Sequence, residues 1–258
     1  WPLTQDKLTA AQEIINQELK AGHLEPSTSP WNTPIFVIKK KDKSKFRLLH
    51  DLRKVNEQMI NMGPLQPGLP LPSAIPENWP AIVIDIANCF FSIPVAPQDR
   101  HRFAFTLPST NLMEPSQRFQ WIVLPQGMKN SPTICQIVVG AVLKTVRQEF
   151  KKGLIIHYMD DILLAMPQRE ELQNLYHRTT EVLTKAGFTI QQAKVQMGTK
   201  LQYLGTNILP QAITPLPITI KKEISTLHEA QQLVGAIQWI RGILGISPDV
   251  MKPLYELL

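Results

Sequence analysis

Two apolar periodicities divide the chain. Apolar residues recurring every three or four positions predict amphipathic helices; short β-branched or aromatic runs closed by Gly, Pro or Asp predict strands. Residues 8–21 show the first pattern, with Leu8, Ala11, Ile14, Ile15 and Leu19 on one face and Gly22 as the stop. Ile35-Phe36-Val37-Ile38 and Phe46-Arg47-Leu48-Leu49 show the second, and the lysine-rich stretch 39–45 between them makes a hairpin with a cationic tip. A proline-rich connector at 63–80 leads to a strand at 81–86 and a turn or short helical segment at 88–92. A second hairpin is expected from 103–107 and 118–124. Residues 131–150 read as a helix, with Ser131 as its cap, Pro132 in the first turn, and Ile134, Val138, Ala141, Val142 and Val146 as its apolar stripe. Helices are also expected at 170–186, 224–244 and 250–258, short strands at 188–190 and 201–204, and a linker at 211–217. Hairpins and helices in irregular alternation indicate an α+β fold.

The run 153–165 breaks its own pattern. It is apolar and rich in β-formers on both sides of Asp160-Asp161, so it reads as a strand, a tight turn and a returning strand. Carboxylates amid so much apolar residue are costly unless a positive group joins them. A divalent metal does so economically, because hard cations prefer oxygen ligands. The strand at 81–86 carries one acid, Asp85, which could supply a third carboxylate from a neighbouring strand. Three acids around one or two Mg²⁺ is the layout of a phosphoryl-transfer site. Taken alone, Asp85 reads more readily as a turn or hydrogen-bonded residue than as a ligand; the Asp160-Asp161 pair and the further motifs of the chain shift that balance.

Composition narrows the class. With 43% hydrophobic and 19% charged residues the chain builds a core and is not a disordered tail. The 22 prolines argue against a helical bundle. Lys and Arg number 27 against 21 Asp and Glu, a net charge of +6 that suits a polyanionic partner. Cys89 and Cys135 have no metal-site spacing and are expected as buried free thiols in a reducing, intracellular compartment. No apolar run approaches the ~18 uncharged residues of a membrane span, and no signal peptide opens the chain. The ends, Trp1-Pro2 and Leu257-Leu258, suggest a piece of a longer polyprotein.

In order along the chain stand Trp31-Asn32-Thr33-Pro34, Asp85 with Phe90-Phe91-Ser92-Ile93-Pro94, and Leu124-Pro125-Gln126-Gly127-Met128-Lys129-Asn130-Ser131-Pro132-Thr133. Tyr158-Met159-Asp160-Asp161, Tyr203-Leu204-Gly205 and Leu233-Val234-Gly235 with Trp239 follow. This ordered set resembles retroviral reverse transcriptases over essentially the whole chain, and most resembles the alpharetroviral, betaretroviral and related endogenous enzymes. The resemblance implies a right-hand polymerase: fingers at 1–60 and 93–130, palm at 61–92 and 131–211 with an antiparallel sheet carrying the acidic hairpin, and part of the thumb at 212–258. The family's connection and ribonuclease H domains lie outside this span. The implied reaction is RNA- and DNA-directed DNA synthesis from a DNA or tRNA primer, using dNTPs and two Mg²⁺, with Mn²⁺ as a substitute ion. The full-length protein is then a possible homo- or heterodimer.

The resemblance also implies residue roles. Asp85, Asp160 and Asp161 are the metal carboxylates. Lys40 and Arg47 clamp the triphosphate, although on composition alone they are a solvated basic tip. Ile86, Asn88 and Cys89 meet the nucleotide, largely through backbone N–H groups. Phe90 is a steric gate against ribose, or else a core residue like Phe91. Gln126 contacts the incoming sugar or the template nucleotide, and Met159 lies against the primer end and incoming nucleotide, or simply packs. Lys194 protonates departing pyrophosphate, or is a surface lysine. Tyr158, Leu204 and Gly205 reach the template-primer, as do Gln231, Gly235 and Trp239, which recur every four residues on a helix whose apolar stripe is Leu227, Ala230, Val234, Ile237 and Leu244. A mid-helix Gly costs about 1 kcal/mol relative to Ala, so Gly235 implies close approach of another backbone, from nucleic acid or from a packed helix. One departure stands out: Ala87-Asn88 occupies positions where relatives usually carry an acid second. The alternative reading is a catalytically decayed endogenous copy that only binds template-primer.

Overall fold

In the computed structural model of the protein, residues 3–39, 46–63, 70, 72–109, 115–217, 224–256 and 258 are described, without the side chains of 239, 242 and 243. Helix α1 (Gln5–Lys20) buries Leu8, Ala11 and Ile15, and its Asp6 and Lys20 oppose the helix dipole at the correct ends. Strand β1 (Leu24–Pro26) follows, then the hairpin of β2 (Ile35–Lys39) and β3 (Phe46–His50), in register from Ile35↔His50 to Lys39↔Phe46. Its tip, with Lys40, lies outside the described residues.

A short helix, α2 (Arg53–Gln58), precedes β4 (Ala81–Ala87), a 3-10 turn at Cys89–Ser92, and α3 (Pro97–Arg100). Strands β5 (Ala104–Leu107) and β6 (Gln117–Trp121) pair as expected, and β1 joins them in the order β1-β6-β5. Next come α4 (Ser131–Glu149), the hairpin of β7 (Leu154–Tyr158) and β8 (Asp161–Ala165), and α5 (Arg169–Lys185). The short strands β9 (Thr189–Ile190), β10 (Gln196–Gly198), β11 (Leu201–Tyr203), β12 (Thr206–Leu209) and β13 (Ala212–Pro215) lead to α6 (Leu227–Leu244) and α7 (Pro248–Tyr255).

The central sheet runs β10-β4-β8-β7, all antiparallel, with β9 also on β4. Side chains alternate across it. Ile82, Ile84, Ile86, Ile162 and Leu164 face the main core with Val139 and Leu143 of α4 and Leu175 and Leu183 of α5. Ala81, Val83, Leu163 and Ala165 face the other way, against Leu201, Tyr203 and Ile208 of the β11-β12-β13 sheet. Burial on both faces explains why these strands read as continuous apolar runs. Each fully buried Ile or Leu contributes about 1.5–3 kcal/mol.

Four expectations need correction. Asn130, not Ser131, caps α4. Its side chain is already engaged, accepting from Met62 N at 3.2 Å and donating to Ile60 O at 2.9 Å, and Ser131 Oγ donates to Pro125 O at 3.0 Å. The buried row of α4 is Ser131, Cys135, Val139, Leu143 and Val146, one position on from the expected stripe, and Ala141 is exposed. The linker at 211–217 holds β13, paired along β12 from Thr206↔Pro215 to Leu209↔Ala212. On α6, Ala230, Val234 and Ile240 are buried while Leu227 and Leu244 are exposed. Among the described residues no helix is long and apolar enough to cross a membrane.

His50 ends β3 at 9% exposure, and burial lowers its pKa from 6.5 to about 4. The imidazole is therefore neutral in the fold while the unfolded chain takes up a proton, so stability falls as pH drops from 6.5 to about 4. The full difference is up to roughly 3 kcal/mol. Urea unfolding across this range should show that loss in the wild type and a clearly shallower slope in His50→Gln.

Candidate active site

Strand parity brings the acids together. Asp85 continues the face of Ala81 and Val83, and Asp161 continues that of Leu163 and Ala165, so both point to the β11-β13 side of the sheet. The register pairs Asp85 with Asp161 across β4 and β8, and Asp161 with Tyr158 across β8 and β7. Asp160 lies in the two-residue turn between β7 and β8. Ile86 N donates to Asp160 O at 2.9 Å, which ties that turn to β4. Met159, the other turn residue, is left-handed at φ 54°, as the first position of a II′-like hairpin requires.

Ionisation of the two hairpin acids is opposed by burial and by the neighbouring carboxylates. Burial first, then the charges of Asp160 and Asp85, push Asp161 up from 3.8 to about 6. Burial and Asp85 also raise Asp160. Lys194, on the 3-10 turn Gln192–Lys194, places Nζ 2.9 Å from Asp85 Oδ2, and that contact raises its own pKa. The pair is lopsided, with Lys194 62% exposed and Asp85 16%. Such a bridge is worth about 1 kcal/mol or less and is readily released. The sequence motif alone did not connect Lys194 with Asp85; Gln191 N donating to Asp85 O at 2.9 Å holds the two segments side by side.

The remaining candidates fall into three groups. Beside the acids, Asn88 adopts φ 48°, ψ 42° and caps the 3-10 turn Cys89–Ser92, a left-handed conformation that Asn tolerates well. Phe90 is half-buried against the core, whereas Phe91 stacks on Trp121 with centroids 5.2 Å apart. Cys89 and Cys135 are buried free thiols with Sγ atoms 2.8 Å apart, and that contact with burial drives the Cys89 pKa upward. Gln126 is exposed next to Gly127, whose φ is +90°. Arg47 is exposed on β3.

Leu204 and Gly205 form the tight β11-β12 turn, both at positive φ (44° and 77°), and Tyr203 OH donates to Asp161 O at 3.4 Å. That bond links this turn to the acids. Gln231 and Gly235 are exposed on α6, and a Cβ at Gly235 would meet nothing within 4 Å. The expected close neighbour of Gly235 is therefore absent among the described residues. One contributor went unsuspected in the sequence: Gln136 of α4, whose Oε1 accepts from Met159 N at 2.6 Å.

Among the described residues no three His, Cys, Asp or Glu groups are gathered as a ready-made metal cage. The donor set nevertheless suits a hard cation. It offers carboxylate oxygens only, two of the acids are strained toward protonation, and the cation beside them now is a weakly held ammonium.

Two family profiles match the chain: "Reverse transcriptase (RNA-dependent DNA polymerase)" over residues 38–208 and "Reverse transcriptase thumb domain" over 215–258. The Gag-Pro-Pol polyprotein of Mason-Pfizer monkey virus is 51% identical over 259 residues. That of Mouse mammary tumor virus (strain BR6) is 49% identical over 259, and the Gag-Pol polyprotein of Rous sarcoma virus subgroup C (strain Prague) 49% over 258. Each alignment covers 100% of this chain but only 15–16% of the polyprotein.

Because the folded-state pKa of Asp161 is raised, its carboxylate disfavours the metal-free fold increasingly as pH rises from 3.8 to about 6. In EDTA, Asp161→Asn should match wild-type stability near pH 4 and exceed it by roughly 1 kcal/mol above pH 6, allowing for solvent screening. Thermal unfolding against pH reads the difference.

Proposed function

The chain belongs to the reverse transcriptase family, and from that premise we propose that it extends a primer with deoxynucleotides on an RNA or DNA template. The observation that carries this reading is the cross-strand pairing of Asp85 with Asp161 beside the turn holding Asp160. We assign the fingers to 1–60 and 93–130, the palm to 61–92 and 131–211, and part of the thumb to 212–258. The central antiparallel sheet with its acidic hairpin supports the palm, and the thumb profile over 215–258 supports the last division.

Asp85, Asp160 and Asp161 are the residues that would hold two Mg²⁺, or Mn²⁺ in their place. When bound, the ions lower the pKa of the primer 3′-hydroxyl and neutralise charge on the triphosphate and departing pyrophosphate. The protein's own groups do the rest. Lys194 Nζ, released from Asp85, offers its proton to the pyrophosphate oxygen. Arg47 grips phosphate with its planar fork and Lys40 adds a point charge. The Ile86 N–H is taken by Asp160 O, so Ile86 meets the nucleotide only by fixing the backbone beside it, while the N–H groups of Asn88 and Cys89 face the triphosphate; an Asn at 88 then serves where an acid is usual and spares the site a like charge. Phe90 excludes a ribose 2′-hydroxyl by shape. Gln126 and Met159 contact the nucleotide. Tyr158, Leu204 and Gly205 hold the primer end, and Gln231, Gly235 and Trp239 track the duplex minor groove, where shape is read more than sequence. The open space over Gly235 suits a nucleic-acid backbone coming close.

Primer extension on poly(rA)/oligo(dT) with Mg²⁺ tests this directly. Wild type should incorporate dTTP. Asp160→Asn should lose at least a thousandfold in rate while binding template-primer within severalfold. Wild type that binds yet never extends would reduce the protein to a binding module. Phe90→Ala should raise ribonucleotide incorporation at least tenfold relative to deoxynucleotide, and unchanged sugar discrimination would remove the gate assignment.

A further inference from the structure

We infer that Gln136 is a positioning residue that holds the Met159–Asp160 turn in place, an inference that rests on the polymerase reading above. Met159 is neither Gly nor Asn, yet its φ is 54°, a conformation that costs a side-chain-bearing residue stability and persists only where neighbours enforce it. In a two-residue turn the Met159 N–H has no ladder partner, and Gln136 Oε1 accepts it at 2.6 Å. The other end of the same amide, Nε2, donates to His157 O at 3.3 Å. A backbone N–H can only donate and a carbonyl can only accept, so these two contacts fix the amide's orientation.

A further shell fixes Gln136 itself. Arg147 Nη2 lies 2.9 Å from His157 Nδ1 and donates to Ile155 O at 3.2 Å. Arginine has no acceptor, so Nδ1 accepts and the neutral ring carries its proton on Nε2, which meets Gln136 O at 3.3 Å. The ring packs over Gly140, where a Cβ would come within 3.3 Å of Nε2. Gln136, Gly140 and Arg147 fall on one face of α4, against the last strand residues before the acids. Their effect on chemistry runs through the geometry of one turn.

Gln136→Met keeps side-chain length and removes both polar contacts. Amide hydrogen exchange in EDTA should show Met159 exchanging at least tenfold faster than in wild type, with β8 amides such as Leu163 unchanged. In primer extension kcat should fall at least tenfold, the Mg²⁺ concentration for half-maximal rate should rise, and template-primer Kd should stay within twofold. Unchanged Met159 exchange, or a kcat within twofold of wild type, would each overturn the inference. Should wild type fail to extend primers at all, the polymerase reading falls, while the exchange measurement still decides whether Gln136 holds the turn. If Gln136→Met does not fold, Gln136→Glu keeps an acceptor for Met159 and must retain wild-type protection there; loss of protection would overturn the inference equally.

Discussion

Two carboxylates facing each other across an antiparallel ladder are what the rest of this fold accommodates. Like charges directly opposite on neighbouring strands are destabilising, and Asp85 and Asp161 hold that relation. The ladder cannot relax it, because β4 and β8 are packed on both faces: Ile84 and Ile162 in the main core, Val83 and Leu163 against the β11-β13 sheet. Lys194, itself largely exposed, offsets part of the repulsion through its contact with Asp85. The repulsion costs stability locally, and the apolar layers above and below supply the surplus.

Much of this was legible in the residues. The apolar runs at 35–38, 81–86 and 153–165 are strands because Val, Ile and Leu crowd into short stretches closed by turn formers. The two acids at 160–161 gave away a hairpin for the same reason. Less legible was the face of α4. Its sequence is apolar nearly all round, so Ile134, Val138 and Val142 qualified as well as Cys135, Val139 and Leu143, and only the positions of β7 and α5 decide between them. Strand β13 escaped notice because Ala212–Pro215 is short and alternates weakly. Leu227 and Leu244 fit the period of α6 but lie at its two ends and are exposed among the described residues.

Backbone conformation was the least legible. Three of the four non-glycine residues with positive φ among those described are Asn88, Met159 and Leu204. All three sit in turns bordering the acids. Asn88 could have been suspected from its chemistry; Met159 and Leu204 could not, since nothing in either side chain favours a left-handed turn. Gln136 from α4 holds the turn at Met159, and Leu204 shares its two-residue turn with Gly205, which is also at positive φ. The sequence motif names the turn residues, and the surrounding structure imposes their shape.

The alternation of faces along β4 carries one consequence for how this chain tolerates length changes. Deleting a single residue between Ala81 and Asp85 would rotate the carboxylate into the α4-α5 side and turn an isoleucine outward. A two-residue deletion would keep the faces yet carry Asp85 some 7 Å along the strand, out of line with Asp161. Insertions and deletions are thus confined to the loops flanking this ladder, and within it the spacing of the acid from the strand start is as constrained as the acid itself.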